Sequence, residues 1–243
     1  MDSKFYDVNA FRKGKSSLKH IELDLLGDVN GLKILHLQCH FGMDSISLAR
    51  KGAIVTGVDL SDRAIVAARK LAEECNVNVQ FINSDVYNLV NVHKGEYDVV
   101  FSTYGTIGWL PDMDQWAGVV HKFLKPSGKL ILIEFHPVVW MMSDDFQKIE
   151  YGYFNTGAIE EITEGSYADD KAAIKNPSIS WNHPFSEVLG ALIDRNLKIT
   201  HLSEYDYSVY DCFYNTVEIS PDHYQIKGLE GLIPMMYAIT AVK

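Results

Sequence analysis

Apolar positions recur along the first two thirds of the chain with two alternating periods. Compact apolar runs at 32–37, 53–58, 77–82, 97–102 and 129–135 predict strands. Amphipathic stretches between them predict helices. Leu18, Ile21 and Leu25 share one face of a helix that Ser16 or Ser17 opens and Gly27 ends. A second helix runs from about 44 to 50 and stops at Lys51-Gly52, and residues 86–93 make one or two helical turns. After a Ser61 cap, Ala64, Ala68, Leu71 and Cys75 form one stripe. Asp112 or Asp114 opens another helix, whose Trp116, Val119, Val120, Phe123 and Leu124 face inward. The turn Pro126-Ser127-Gly128 leads into 129–135, so nearly all apolar that both its faces must be covered. Strand and helix in alternation predict βαβ units around a parallel sheet.

The pattern breaks after Pro137. Residues 137–181 lack a long periodic element yet hold Trp140, Met141, Met142, Tyr151, Tyr153, Phe154 and Tyr167. A long irregular stretch in a compact domain is usually functional, as a lid or binding insert. Periodicity returns at Pro184, read as a first helical residue after an Asn182/His183 cap, with Phe185, Val188, Leu189, Leu192 and Ile193 as the stripe. Two β-rich runs follow, at about 197–210 and 233–242. No internal repeat is present. One domain over 1–243 with an insert at 137–182 is the simplest organisation.

Composition narrows the function classes. In 243 residues, 47% are hydrophobic and 22% charged, enough to bury a core and too apolar for a disordered chain. The net charge of −10 disfavours a phosphate backbone, and the densest basic stretch (Arg12, Lys13, Lys15, Lys19) is short, so no nucleic-acid partner is expected. No apolar run approaches the ~18 residues that span a bilayer, so no membrane partner is expected either. The N-terminal stretch lacks the apolar core of a secretory signal. Cys39, Cys75 and Cys212 are widely spaced, which fits a reducing compartment and gives neither a disulfide framework nor a zinc site. The expectation is a cytoplasmic protein; nothing in the sequence indicates oligomeric state.

An apolar strand, a tight loop, a helix and a second strand ending in Asp59 make a nucleotide-binding half. The loop 38–42 brings backbone N–H groups to a helix N-terminus. Asp59, 17 residues after Gly42, is placed to accept hydrogen bonds from both hydroxyls of a ribose. Ser84, Asp85 and Val86 follow the third strand, where a polar side chain and an N–H can read an adenine edge. Ser102, Thr103 and Tyr104 occupy the mouth of the fourth. All four loops lie at the carboxyl ends of the strands, where open α/β sheets bind ligands.

With these residues in view, the chain resembles the class I S-adenosylmethionine-dependent methyltransferases. Four stretches within 34–135 carry the resemblance: ILHLQCHFGMDSISLARKGAIVTGVDLS, FINSDVYNL, EYDVVFSTYGTIGWLPDM and LKPSGKLILIEF. The string LHLQCHFG resembles one branch of that superfamily. The resemblance implies a Rossmann-like, doubly wound α/β sheet of seven strands in the order 3-2-1-4-5-7-6, its last strand, PMMYAITAVK, antiparallel. It also implies S-adenosyl-L-methionine as cofactor and in-line transfer from the sulfonium, while the aromatic, acidic insert at 137–182 suggests a small-molecule methyl acceptor enclosed by a lid. Its cofactor-binding positions here are Gln38, Cys39, His40, Phe41, Gly42, Asp59, Leu60, Asp85, Val86, Ser102, Thr103 and Tyr104. The family loop commonly reads Asp-Leu-Gly-Cys-Gly-Thr-Gly, whereas this chain has His36-Leu37-Gln38-Cys39-His40-Phe41-Gly42. Gln38 and His40 must therefore turn away from the cofactor or touch it. Asp44 is placed to replace the lost acid near the methionine amino group, or else to cap a helix.

For catalysis, His136 after the fifth strand is the candidate base, with packing beside Pro137 as the alternative. His183 is explained by helix capping. Trp109 and Trp140 either wall the acceptor site or belong to the core. The carboxylates between Asp144 and Asp170 would favour a cationic acceptor if they did not simply form a solvated face. His36 and His40 straddle a strand end, which argues against a metal pair. Two other classes stay open: a nicotinamide-dependent oxidoreductase, against which stands the absence of GxGxxG, and a non-catalytic module that binds the same cofactor.

Overall fold

The computed structural model describes residues 6–164 and 175–243. Numbered in chain order, the strands are β1 (Lys33–Leu37), β2 (Ile54–Asp59), β3 (Gln80–Asn83), β4 (Tyr97–Thr103), β5 (Leu124–Phe135), β6 (Ile159–Glu164), β7 (Lys175–Ser180), β8 (Lys198–Tyr205), β9 (Thr216–Ser220), β10 (His223–Ile226) and β11 (Met236–Val242). The helices are α1 (Val8–Arg12), α2 (His20–Leu26), α3 (Met43–Arg50), α4 (Asp62–Glu74), α5 (Leu89–Val92), α6 (Met113–Phe123) and α7 (Phe185–Asp194).

Seven strands form the main sheet in the order β3-β2-β1-β4-β5-β11-β8. The first five pair in parallel, while β11 runs antiparallel to both β5 and β8. This is the expected order, with the last strand reversed and inserted before the sixth. The side chains of β5 explain why it can sit in the middle. Leu130 and Leu132 enter one core cluster with Trp116, Val120, Phe123 and Leu192, whereas Ile131 and Ile133 enter the opposite one with Ile21, Leu26 and Leu48. Both faces of the strand are covered, as its unbroken apolar run requires.

Local signals set the helix starts. Ser61 Oγ accepts from Ala64 N–H at 3.2 Å, and Asp112, not Asp114, caps α6 by accepting from Gln115 N–H at 2.9 Å. At α7 the expected start shifts by one residue: Pro184 is the N-cap and Phe185 the first helical residue. Lys129 Nζ donates to the carbonyls of Leu25 and Leu26 at 2.8 and 3.3 Å. That contact fixes the carboxyl end of α2 and leaves its first turn directed at the mouth of the sheet.

Two hairpins were not legible as strands. β6 and β7 pair antiparallel inside the 137–182 insert, and β9 pairs with β10. Four of the five β9 residues are exposed, so no alternation marks the strand. Tyr167, Asp169 and Asp170 of the insert lie outside the described residues. Among the described residues, no helix is long and apolar enough to cross a membrane.

Candidate functional site

The loop after β1 bends by alternating handedness. Gln38, His40 and Gly42 have φ of 54°, 50° and 83°, all left-handed. These are the three positions at which the resembling family string carries glycine. Here two of them hold side chains, at about 1–2 kcal/mol each for a non-glycine residue in that region. The loop is held from both sides. Asp59 Oδ2 accepts from the His40 N–H at 2.7 Å, and Val58 O accepts from the Cys39 N–H at 2.9 Å. Gln38 Nε2 donates to Thr106 O at 2.8 Å, tying the loop to the segment after β4. Its Oε1 is buried without a hydrogen-bond partner among the described residues. The His40 ring lies against Phe41, centroids 4.7 Å apart, and beside Tyr6 at 5.9 Å.

Gly42 has a reason the sequence did not suggest. It is the N-cap of α3, and a Cβ there would lie 2.7 Å from the Phe81 ring and 3.0 Å from Ala68 Cβ. The missing side chain makes room for β3 and α4 as well as for the left-handed turn. Asp44 is not the cap; it occupies the first turn of α3. Burial pushes its carboxyl up from the ordinary range, opposed by a hydrogen bond from Ser17 and the charge of Lys19. His36 takes no part in the mouth. It is buried, its Nδ1 meets Ser45 Oγ at 2.8 Å, and burial pushes it down to about 3, so it is neutral.

At the end of β2, Asp59 Oδ1 also accepts from the Ser61 N–H, at 2.9 Å. A carboxylate has about four acceptor positions, so two remain for a ligand. Leu60 beside it is 71% exposed and presents an apolar face to solvent. Asn83 Nδ2 clamps the carbonyls of both residues, at 3.1 and 2.7 Å. Asp85 Oδ1 accepts from the Tyr87 and Asn88 N–H groups and so shapes the turn into α5, while Val86 is buried in the core.

At the end of β4, Ser102 and Thr103 point inward. Ser102 Oγ meets Thr106 Oγ1 at 2.9 Å. Tyr104 is left-handed, with φ of 54°. The organising group is Glu134, near the end of β5. Its carboxylate accepts from the N–H groups of Gly105 and Thr106, both at 2.6 Å, and of Ile107 at 3.1 Å, and from the Thr106 hydroxyl. Burial pushes its carboxyl up and these donors pull it back. Glu134 therefore sets the shape of the loop that faces Gln38 across the β1/β4 cleft.

These features match known proteins. Residues 34–128 fit the family model described as a methyltransferase domain. A ubiquinone biosynthesis O-methyltransferase of Erwinia tasmaniensis is 29% identical over 147 residues, 58% of this chain and 60% of that protein. One from Xanthomonas oryzae is 29% identical over 133 residues, 54% and 55%. The chain thus spans well under two thirds of the length of these curated relatives. A putative S-adenosylmethionine-dependent methyltransferase from Listeria monocytogenes superposes with a TM-score of 0.63 at 20% identity, over 97% of this chain and 99% of that one, which speaks to the fold. Residues 34–128 thus resemble a methyltransferase domain, set in a fold shared with S-adenosylmethionine-dependent methyltransferases.

Within that methyltransferase frame, the histidine candidates are already engaged. His136 is buried; its Nε2 meets Glu204 Oε1 at 2.9 Å and its Nδ1 accepts from the Val138 N–H at 3.1 Å. Burial lowers its pKa and Glu204 raises it in part. With the ring edge-on to Phe185 and Tyr237, no nitrogen is left for an acceptor. His136→Ala is expected to cost about 2 kcal/mol of stability in urea denaturation and to leave cofactor affinity unchanged. Unaltered stability with lost turnover would restore it as a base. His183 Nε2 donates to Leu110 O at 2.8 Å, and Nδ1 lies 3.0 Å from Glu187. His183, Trp140, Trp181 and Glu134 line a small cavity of about 20 Å³; Trp109 is 55% exposed and lies outside it.

Glu134 and Glu22 were not singled out from the sequence, though both left a signal. Glu134 is the one acid in the apolar run 129–135. Glu22 stands at i+4 from Leu18, on the face that Ile21 and Leu25 make apolar. An acid at a core position calls for a partner.

Proposed function

We propose that the chain transfers the methyl group of S-adenosylmethionine to a small-molecule acceptor. The observation that carries this reading is the loop 38–42. It keeps left-handed turns at three alternate positions, gripped by Asp59, at the point where strand order reverses between β1 and β4. The residues fit a nucleoside with an amino-acid tail. Asp59 has acceptor positions left for ribose hydroxyls, exposed Leu60 offers an apolar face to a purine, and the turn at Asp85 and Val86 borders its edge. The Gln38 carbonyl oxygen is buried without a hydrogen-bond partner among the described residues.

The cofactor supplies a methyl group already activated by a sulfonium. The chain supplies orientation: acceptor oxygen, nitrogen, sulfur or carbon must lie in line with the methyl and the sulfur, and water must be excluded. Positioning of this kind contributes several kcal/mol to barrier lowering. Loop 38–42 fixes one wall, and the Glu134-bound loop 105–107 fixes the other. On the acceptor side, Trp140 and Trp181 line a small cavity beside Glu134.

Calorimetry tests the reading. S-adenosylhomocysteine should bind and NADH should not. Asp59→Ala should weaken S-adenosylhomocysteine about tenfold or more, through loss of hydrogen bonds to a charged acceptor; equal affinity would remove the ribose role. Labelled-methyl transfer over panels of amines, phenols and carboxylates then separates an enzyme from a module that binds the cofactor without reacting. Tight binding with no transfer to any panel would favour the module.

A further inference from the structure

The small cavity beside Glu134 has a chemistry that discriminates among methyl acceptors. Phe135, Trp140, Trp181 and Tyr237 line it, and its volume of about 20 Å³ leaves room for one water-sized group. Ile107 and Gly108 of the loop after β4 also line it, and Gly108 O accepts from the Trp181 N–H at 2.9 Å. Gln38 holds the neighbouring Thr106 carbonyl, so a single loop separates the cavity from the bend after β1. Glu134 brings charge to this place but no free acceptor position. Its Oε1 accepts from the Thr106 N–H and hydroxyl and from the Ile107 N–H, and its Oε2 from the Gly105 and Phe135 N–H groups. A carboxyl that only accepts is the ionised form, and it has about four positions to give. No lysine or arginine lines the cavity. His183 spends Nε2 on Leu110 O, and any charge on its ring is met by Glu187, 3.0 Å from Nδ1. The field shows in Tyr237: burial first, then Glu134 and Tyr153, hold its hydroxyl well above the ordinary value. Anions are disfavoured here.

We infer that this cavity receives the reacting group of the acceptor, and that the group is an amine methylated on nitrogen against Trp140 and Trp181. The inference rests on the methyltransferase reading and names its substrate class. The volume admits an amino or hydroxyl head and excludes a carboxylate. The walls treat those two heads differently. A hydroxyl becomes a strong nucleophile by losing its proton, and the lining residues hold no group free to take it, with Glu134 saturated and His183 engaged. The resulting oxyanion would also lie in the field that opposes ionisation of Tyr237. An amine attacks through its own lone pair. Its nitrogen forms the bond to the methyl carbon while the carbon–sulfur bond breaks and that electron pair goes to sulfur. The nitrogen is then an ammonium, and one N–H proton passes to water afterwards. Positive charge develops where a buried carboxylate and aromatic rings favour it. Since Glu134 has no acceptor position to offer, an N–H replaced by a methyl forfeits no hydrogen bond to it, and secondary amines serve as well as primary ones.

The test is labelled-methyl transfer by the full chain to matched acceptors that differ only in nitrogen or oxygen: benzylamine and benzyl alcohol, aniline and phenol, methylamine and methanol. Within any pair that reacts, nitrogen should be methylated about tenfold faster than oxygen or more. Transfer to the amine should rise with pH as its ammonium form loses a proton and frees the lone pair. Trp140→Ala should lower kcat/KM for the amine about tenfold, and Trp140→Phe, which keeps an aromatic face, should recover most of the loss. S-adenosylhomocysteine affinity should be unchanged in both variants. Trp140 is 39% exposed, which favours an intact fold on truncation; should Trp140→Ala not fold, Trp140→Leu gives the same contrast with Trp140→Phe. Three results would each overturn the amine assignment: transfer to oxygen at an equal or greater rate, transfer to nitrogen indifferent to Trp140, or no transfer to any of these amines by a protein that binds S-adenosylhomocysteine. Failure to bind S-adenosylhomocysteine at all would instead sink the methyltransferase reading itself.

Discussion

Glu134→Ala is expected to destabilise the fold by about 3–5 kcal/mol, because it strips the acceptor from several buried donors at once. The N–H groups of Gly105, Thr106 and Ile107 and the Thr106 hydroxyl all converge on this carboxylate. Nothing else among the described contacts would take them over, and the 1% exposed site admits little water. Glu134→Gln keeps one carbonyl oxygen and should recover part of the loss. Urea denaturation of the two variants checks the ordering alanine, glutamine, unmodified. Equal stability of all three would mean that the loop 105–107 holds its shape without Glu134.

Gly42→Val is expected to cost about 2–5 kcal/mol, as the sum of a left-handed β-branched residue and an overpacked contact. The added Cβ alone would lie 2.7 Å from the Phe81 ring, and neither that ring nor Ala68 can withdraw without disturbing the packing of α4 on β3. For a chain of this size the melting temperature should fall by about 5–15 °C. A full-stability variant that merely lost S-adenosylhomocysteine binding would instead assign the glycine to ligand contact.

The sheet was readable because its strands are buried on both sides and advertise themselves as unbroken apolar runs. Residues 130–133 of β5 are the clearest case. The reversed last strand came from the resemblance, since nothing in its own composition states direction. At the site, Asp59 was legible from its place at a strand end. The function of Gly42 was not, because where an absent Cβ would point depends on Phe81, far along the chain. Glu22 and Tyr104 meet only in three dimensions, with α2 and β4 more than 70 residues apart. His136 looked available because its consumer, Glu204, belongs to β8. The β9–β10 hairpin escaped notice for a simpler reason: it is solvated on most sides and carries no burial pattern.

The alternating torsions of Gln38, His40 and Gly42 show that the shape of the bend after β1 and the glycine spelling that usually encodes it are separable. Relatives that have drifted away from glycine here would be passed over by any comparison keyed to letters, yet grouped at once by one keyed to backbone handedness. Lineages can therefore exchange permissive residues for ones that bring their own tethers, such as the amide of Gln38 reaching Thr106, and keep the curve of the chain while rewriting what lines it.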